Sequence, residues 1–264
     1  MTILTPTLLS ELKTHYAHPS RHYHTASHIH SLLSLLDAHR ERFADPEAVE
    51  VAIWYHDVVY DSESKVSGGN EMLSARFCVE RLIGLYKDSS DSGASLRDPS
   101  GVFGTGSGVG DGIGDDDGGA GEDECDVGSG NGPWAERIER IKVMIEATAG
   151  HRLPSGEQLG VPDETADDGS REEFVRDAAM FLDMDLSILG ADEAEFDRYE
   201  EGVRREYAWV GEEEWRAGRA TVLRGFQDRE HIYFSDLFRE LLEEKARANL
   251  RRSLARLELG EGRS

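Results

Sequence analysis

A long glycine-rich acidic segment interrupts this sequence. Fourteen of the 28 glycines lie between Asp88 and Gly132, in text such as GVFGTGSGVGDGIGDDDGGAG. Such a segment cannot bury enough apolar surface to offset the entropy that it would lose on ordering. We therefore expect residues 88–132 to form a disordered insertion. Residues 1–87 and 133–260 are expected to form the two parts of one folded domain.

Outside this segment the apolar residues recur at helical spacing. Leu8, Leu9 and Leu12 follow Thr5 and Pro6, which are suitable residues for the cap and the first turn of a helix. The same spacing predicts helices over roughly 46–57, 70–86, 134–149, 172–190, 192–209, 212–228 and 235–258, with a polar loop over 153–170. Alternating patterns typical of strands are missing, so the sequence predicts an all-α fold, a helical bundle.

The charge and the cysteine content exclude several classes of protein. A formal charge of −24 is unsuited to binding a nucleic-acid polymer, because such binding needs clustered Lys and Arg. The segment from Asp88 to Gly132 carries eleven acidic residues against the single base Arg97. Two cysteines cannot build a disulfide framework, and no apolar run reaches the length of a membrane span. We expect a cytoplasmic protein that does not bind membranes.

A histidine and an aspartate stand side by side in the apolar stretch AIWYHDVVYD, as His56 and Asp57. An unpaired carboxylate in a dry setting costs several kcal/mol, so Asp57 needs a cation or strong hydrogen-bond donors. Two interpretations stay open. Either His56 packs while Asp57 accepts hydrogen bonds in the following turn, or both side chains converge at a helix end on a common ligand.

A second pair of carboxylates occurs in the stretch MFLDMDLSILGA. Leu182, Leu186 and Leu189 define one helix face, and Asp185 lies within that face, whereas Asp183 is turned about 100° away from Leu182. No Lys or Arg occurs within a turn of Asp185. A metal ion shared with histidines of other helices would be an economical partner, and mixed nitrogen and oxygen ligands suit Mn, Fe, Co, Ni or Zn better than Mg.

An ordered set of motifs resembles a known family. The stretches RHYHTASHI, AIWYHDVVYD, NEMLSA, FLDMDLSILG, VRREY and GRATVLRGF occur in this order and are followed by REHIYFS and ARANL. Together they look like the small predicted metal-dependent phosphohydrolases of the HD-domain superfamily. The resemblance covers most of the chain outside the glycine-rich segment and the polar loop. It implies an HD-like helical domain.

The resemblance also implies a set of metal ligands. It assigns His28, His56 and Asp57 to a divalent metal ion, with a late aspartate as the fourth ligand. The family pattern leaves Asp183 and Asp185 open for that position, and the helix face favours Asp185. His56 and Asp57 would be the catalytic residues, with Asp57 orienting or deprotonating a water molecule. The metal could be Mn, Co, Ni, Fe, Zn or Mg.

Five further residues are candidates for contact with the substrate or for support of the site. His24 could bind the substrate or serve as an alternative ligand, and His151 lies where some HD proteins have additional histidines. Arg204 and Arg219 occur in the family motifs and could hold a phosphate group through paired hydrogen bonds. Glu71 could orient a ligand histidine.

The resemblance thus predicts a metal-dependent phosphohydrolase that cleaves a small phosphate ester, such as a nucleotide, with a metal-activated water. A homodimer is a candidate assembly. Two alternatives stay open: an HD-like diiron oxygenase, and a non-catalytic protein with a structural metal whose acidic insertion contacts basic partners.

Overall fold

The computed structural model describes residues 3–63, 69–91, 133–155 and 168–260. Within these ranges the chain forms helices and turns but no strand, which confirms the predicted all-α fold. The helices are α1 (Pro6–Tyr16), α2 (Ala26–Ala38), α3 (Pro46–Tyr55), α4 (Gly69–Asp91), α5 (Pro133–Ala147), α6 (Asp168–Asp185), α7 (Glu193–Glu206), α8 (Glu212–Gln227) and α9 (Asp236–Leu259). No helix in the described ranges combines the length and the apolar character needed to cross a membrane.

The predicted boundaries differ from the structure at both interruptions. Helix α4 continues to Asp91, so residues 88–91 of the predicted insertion are helical, while residues 92–132 lie outside the described residues. The helix extends this far because the first glycine of the segment is Gly93. Helix α6 begins at Asp168 and takes up the end of the predicted polar loop, of which residues 156–167 also lie outside the described part.

Helix α3 lies at the centre of the fold. Seven of its ten residues are buried, on all sides of the helix, and it packs against α2, α5, α6 and α4. A helix that is apolar all round is typical of a position surrounded by other helices. Tyr16 of α1 donates a hydrogen bond of 2.9 Å to the carbonyl oxygen of Trp54 near the C-terminal end of α3. The helix ends at Tyr55, so His56 and Asp57 follow at the end of the most buried element.

Helix α6 ends in the stretch that carries the two candidate aspartates. The α-helix stops at Asp185, and a short 3-10 helix from Leu186 to Gly190 follows and packs against α9. The predicted helix over 172–190 is therefore two elements. Asp185 is the last residue of α6, which places its side chain at a helix end.

Asp183 holds the N-cap residue of helix α9, Ser235, in place. Its Oδ1 accepts from the backbone N–H of Phe234 at 2.7 Å, and its Oδ2 accepts from the backbone N–H and the hydroxyl of Ser235 at 2.8 and 2.6 Å. The residue is fully buried rather than turned toward the edge of the helix face, and burial raises the pKa of its carboxyl to about 6. Both oxygens are occupied by donors, so a role for Asp183 as a metal ligand does not fit the structure.

We expect Asp183→Ala to lower the free energy of unfolding by about 1–3 kcal/mol, because it leaves three partly buried donors just before α9 without their acceptor. Asp192→Ala is the matched control. Asp192 also precedes a helix, but its side chain is exposed and makes no cap hydrogen bond, so the expected change is within about 0.5 kcal/mol. Urea unfolding measures both. Equal effects of the two substitutions would contradict the role of Asp183 in holding the start of α9.

Candidate metal centre

Three helix ends bring four of the predicted ligands together. His28 lies in the first turn of α2, His56 caps the C-terminal end of α3 and is followed by Asp57, and Asp185 ends α6. Both histidines are buried, and the side chains of Asp57 and Asp185 are 16% and 12% exposed. Polar groups from three elements therefore meet in a nearly dry pocket that retains a small opening on the carboxylate side.

The donor atoms are spaced as ligands of one ion. The Nε2 atoms of His28 and His56 are 3.2 Å apart, and Oδ1 of Asp185 lies 3.2 Å from the first and 3.6 Å from the second. Oδ2 of Asp57 lies 3.0 Å from His56 Nε2 and 3.7 Å from His28 Nε2. Ligands about 2.1 Å from a common ion are separated by about 3.0 Å in octahedral and about 3.4 Å in tetrahedral geometry. His28, His56 and Asp185 could therefore hold a metal ion, and Oδ2 of Asp57 lies beside the two histidine nitrogens.

The tautomer of His56 provides a chemical test of this interpretation. Its Nδ1 lies 2.9 Å from the carbonyl oxygen of Ile53, which can only accept, so Nδ1 carries a proton. In the neutral ring Nε2 then has a lone pair, and this lone pair faces carboxylate oxygens of Asp57 and Asp185, which also only accept. Either a second proton on the ring or a cation between these atoms removes the conflict, and a metal ion fits the donor set.

The electrostatics of the cluster follow from the same contacts. Burial alone would lower the pKa of the His56 imidazole, but Asp57 and Asp185 outweigh it and raise this pKa well above its usual value. Burial alone would raise the pKa of both carboxyls, but His56 holds each of them below its usual value. The carboxylates therefore stay ionised near neutral pH, the form in which they bind cations.

Tyr23 supports His28 from the far side of the ring. Its hydroxyl lies 3.2 Å from His28 Nδ1, so Nε2 is left for the cluster. The predicted orienting role of Glu71 does not fit this arrangement, because the Nδ1 atoms of His28 and His56 are already engaged by Tyr23 and by Ile53. Histidines that bind metal ions commonly donate their second ring N–H to a neighbouring oxygen atom, as His28 and His56 can here, and this contact fixes the ring.

His151 contacts the other oxygen of Asp185. Its Nε2 lies 2.9 Å from Asp185 Oδ2, whereas Oδ1 faces His28 and His56. The backbone of His151 has a φ of 45°, in the left-handed region that non-glycine residues seldom occupy. The structure thus places His151, predicted as a contact of the substrate, at the edge of the metal cluster.

His24 lies beside the cluster and is held by a residue that the sequence interpretation missed. Its Nδ1 is 2.7 Å from Oε2 of Glu206, which also accepts from the hydroxyl of Tyr60 at 2.9 Å. Oε1 of Glu206 accepts from the backbone N–H groups of His22, Tyr23 and His24, at 2.7–3.0 Å. One buried carboxylate therefore fixes the segment that leads into α2. These donors lower the pKa of Glu206 to about 2, although burial alone would raise it.

The sequence contains a signal that could have identified Glu206. On α7 the apolar residues Phe196, Tyr199 and Val203 are followed by Glu206 at the same three-and-four spacing, so a carboxylate lies on the buried face. This is the argument that singled out Asp185. Within the quoted VRREY motif, the sequence interpretation selected the arginine in place of the glutamate.

Arg21 is the second residue that the sequence interpretation missed. Its Nη1 donates to the carbonyl oxygens of His24 and Asp57 at 3.0 and 2.8 Å, and its Nη2 donates to that of Val58 at 2.9 Å. It therefore joins the segment that leads into α2 to the segment that follows α3. The first leads to His28, and the second begins with His56. The only available signal was its place in the RHYH motif.

The arginines predicted to bind phosphate have other partners in the structure. Arg204 donates to the carbonyl oxygens of Tyr207 and Val210 and pairs with Glu212, so it holds the turn between α7 and α8. Arg219 is buried, pairs with the carboxylate of Glu200 and donates a hydrogen bond to the hydroxyl of Tyr199. These contacts explain both residues structurally, and they give no support to a role in holding the substrate.

We expect Asp185→Asn to weaken binding of Co²⁺ by more than about 100-fold, because a ligand is lost and even supporting partners of ligands are worth 10–100-fold. Asp183→Asn is the matched control, from the same helix, and should leave the affinity unchanged. Isothermal titration calorimetry with Co²⁺ measures both. Loss of binding in Asp183→Asn with retention in Asp185→Asn would reverse the assignment.

We also expect Glu206 to stabilise the fold in a pH-dependent way. Its folded pKa of about 2 is below the ordinary value of 4.5, so the stabilisation is complete above about pH 4.5 and is lost as the pH falls toward 2. Glu206→Gln should lower the free energy of unfolding by about 3 kcal/mol at pH 5–6, and the difference from the wild type should shrink below pH 4.5. Urea unfolding between pH 6 and 3 measures it, with the exposed Glu201→Gln as control. A difference that grows on acidification would contradict the assignment.

Comparisons of the chain with protein-family models, with curated protein sequences and with solved structures gave no significant match. The geometry of the centre and its chemistry are therefore the basis for inferring a function.

Proposed function

We propose that this protein is a metal-dependent phosphohydrolase that cleaves a small phosphate ester. The observation that carries the proposal is the group of donor atoms from His28, His56 and Asp185, with Asp57 beside it, at the ends of three separate helices. The order of these residues along the chain, and the motifs around them, resemble the HD-domain phosphohydrolases, and this resemblance supports the proposed reaction.

The donor set suits a borderline divalent ion. Two imidazole nitrogens and two carboxylate oxygens favour Mn, Fe, Co, Ni or Zn over Mg, which prefers oxygen ligands. A divalent ion bound here would lower the pKa of a water molecule and would neutralise negative charge on the phosphate group. The two carboxylates offset part of the ion's charge, and their small exposed fraction leaves an approach for the substrate.

The protein's own residues supply the remaining parts of hydrolysis. Asp57, whose Oδ2 lies 3.0 Å from His56 Nε2, would use its Oδ1 to orient the attacking water and to accept its proton. The proton that the water releases is then held on a carboxyl that lies beside the reacting group. His24 carries a raised pKa, since the charges of Asp57 and Glu206 outweigh the effect of burial. Its cationic form would contribute a positive charge toward a phosphate.

One observation favours the diiron oxygenase as a second candidate. His151 contacts Oδ2 of Asp185, the oxygen that His28 and His56 do not contact, so these two side chains would be available to hold a second metal ion. Metal analysis distinguishes the candidates. Two iron atoms per chain with consumption of oxygen would favour the oxygenase, and one metal ion per chain would favour the phosphohydrolase.

We expect the protein loaded with Mn²⁺ or Co²⁺ to release inorganic phosphate from at least one member of a panel of nucleoside monophosphates, sugar phosphates and p-nitrophenyl phosphate. Asp57→Asn should lower kcat/KM by at least about 100-fold, because the variant loses a metal ligand and a general base together. His28→Ala should abolish turnover by loss of metal. The matched control is His30→Ala, an exposed histidine of the same helix, which should retain activity.

Metal-loaded protein that releases no phosphate across this panel would overturn the hydrolase proposal. A bound metal with neither phosphate release nor oxygen consumption would support the third possibility, a structural metal in a non-catalytic protein. Circular dichroism of each variant separates loss of the site from loss of the fold.

A further inference from the structure

Two segments meet beside the carboxylate of Asp185, and each carries an arginine. Gly150, His151 and Arg152 lie in the segment that follows α5, and Arg229 lies in the segment that follows α8. Nη2 of Arg229 donates a hydrogen bond of 3.1 Å to the carbonyl oxygen of Gly150, the residue before the His151 that contacts Asp185. A direct contact therefore joins Arg229 to the turn at the edge of the metal cluster.

The side chain of Arg229 is positioned by an aromatic ring. Its guanidinium carbon lies 4.7 Å from the centre of the Phe226 ring, and this ring lies 5.7 Å from that of His151. Nε2 of His151 is 2.9 Å from Oδ2 of Asp185, and Oδ1 of Asp185 is 3.2 Å from Nε2 of His28. These contacts form an unbroken series from Arg229 to the donor atoms of the cluster.

The series lies on the more open side of the cluster. The side chains of Asp185 and His151 are 12% and 23% exposed, whereas those of His28 and His56 are 4% and 1% exposed. Arg152, the neighbour of His151, is exposed. A ligand that extends from the cluster past Asp185 toward solvent therefore comes near His151 and the two arginines.

The positive charges of these two arginines have no anionic partner in the described part of the chain. No carboxylate there lies within ion-pair distance of Arg229 or Arg152, whereas Arg204 and Arg219 each pair with a glutamate. The buried Nη1 atom of the half-buried Arg229 has no acceptor, and burial and the charge of Arg152 lower the pKa of the Arg229 guanidinium. In a chain with 53 acidic residues against 29 Lys and Arg, two like charges with a buried unpaired donor indicate a place for an anionic ligand.

We propose that Arg229, assisted by Arg152, binds a second anionic group of the substrate whose phosphate group lies at the metal cluster. This inference rests on the proposed hydrolysis and narrows its substrate class to phosphate esters with a carboxylate or a second phosphate at the other end. A guanidinium forms paired, charge-assisted hydrogen bonds with either oxyanion. A neutral sugar phosphate lacks this contact. Arg229 would therefore determine which phosphate ester binds, while the metal cluster carries the reaction.

The kinetic test compares two substrates that differ only in the second anionic group. 6-Phosphogluconate and sorbitol 6-phosphate share the carbon chain and the phosphate, and one ends in a carboxylate where the other ends in a hydroxymethyl group. Arg229→Gln should raise KM for 6-phosphogluconate about tenfold, since a charge-assisted hydrogen bond is lost. It should leave KM for sorbitol 6-phosphate unchanged. Arg229→Lys keeps the charge and should restore part of the difference.

The control is Arg76→Ala, which removes an exposed arginine of α4 and should change neither KM. Arg152→Ala leaves the hydrogen bond from Arg229 to Gly150 in place, and it should raise KM for 6-phosphogluconate alone, by about threefold because this side chain is exposed. No change in Arg152→Ala would exclude the assisting role of Arg152.

A purely structural role of Arg229 gives a different result. Arg229 holds the carbonyl oxygen of Gly150, so a loss of this turn would displace His151 and would affect both substrates to the same extent. Equal changes for the two substrates in Arg229→Gln would therefore overturn the proposed binding of a second anionic group.

Isothermal titration calorimetry provides a readout that does not depend on turnover. The ligands are uncleavable phosphonates of equal chain length that end in a hydroxyl, a carboxylate or a second phosphonate: 6-hydroxyhexylphosphonate, 6-phosphonohexanoate and hexane-1,6-diphosphonate. The wild type loaded with Co²⁺ should bind at least one of the last two about tenfold more tightly than the first, and Arg229→Gln should abolish the difference. The tighter of the two identifies the second group as a carboxylate or a phosphate.

The outcomes separate this inference from the proposed hydrolysis. Cleavage of both substrates with an unchanged KM for 6-phosphogluconate in Arg229→Gln would overturn the inference and leave the hydrolase intact. If neither substrate is cleaved, a preference among the phosphonates that depends on Arg229 would still support the site. Equal affinity of the wild type for the three phosphonates, or binding of none of them, would overturn it.

Discussion

His56 Nδ1 donates a hydrogen bond of 2.9 Å to the carbonyl oxygen of Ile53, three residues earlier in the chain. This bond assigns the tautomer, and the assignment leaves a lone pair on Nε2 that faces the carboxylates of Asp57 and Asp185. Burial in the centre of the fold prevents water from relieving the conflict. Either a second proton on the ring or a bound cation is therefore needed at Nε2, and this need follows from a backbone carbonyl at the end of α3.

Two buried charged residues, Arg21 and Glu206, hold the segment that leads into α2 and thus to His28. Arg21 binds carbonyl oxygens from this segment and from the end of α3, and Glu206 binds three consecutive backbone N–H groups next to it. Gly202 allows the close approach that this requires, since a Cβ at its position would lie 3.1 Å from the side chain of Tyr23 and 3.2 Å from the carbonyl oxygen of His22. The loop before α2 can then fix the start of this helix, with His28 in its first turn, because its backbone groups are bound by charged partners.

The sequence predicts the helical fold and part of the centre because both depend on local spacing. Asp185 could be identified because a carboxylate on a leucine face is a conflict that appears within eight residues. Asp183 could not be excluded in this way, since the backbone donors that occupy it belong to Phe234 and Ser235, about fifty residues later. Glu206 obeys the same rule as Asp185, but its partners lie more than 180 residues earlier, and spacing indicates burial without indicating the partner.

The long connection between α4 and α5 does not disturb the cluster of His28, His56, Asp57 and Asp185. The two helices pack against each other, so the elements on either side of the connection from Asp91 to Pro133 are held together independently of it. The entropy of closing a connection rises only with the logarithm of its length, and each doubling costs about 0.6 kcal/mol. The candidate ligands come from α2 and α6 and from the two residues after α3. A long connection between two other helices can therefore vary in length and composition without moving any donor atom of the cluster.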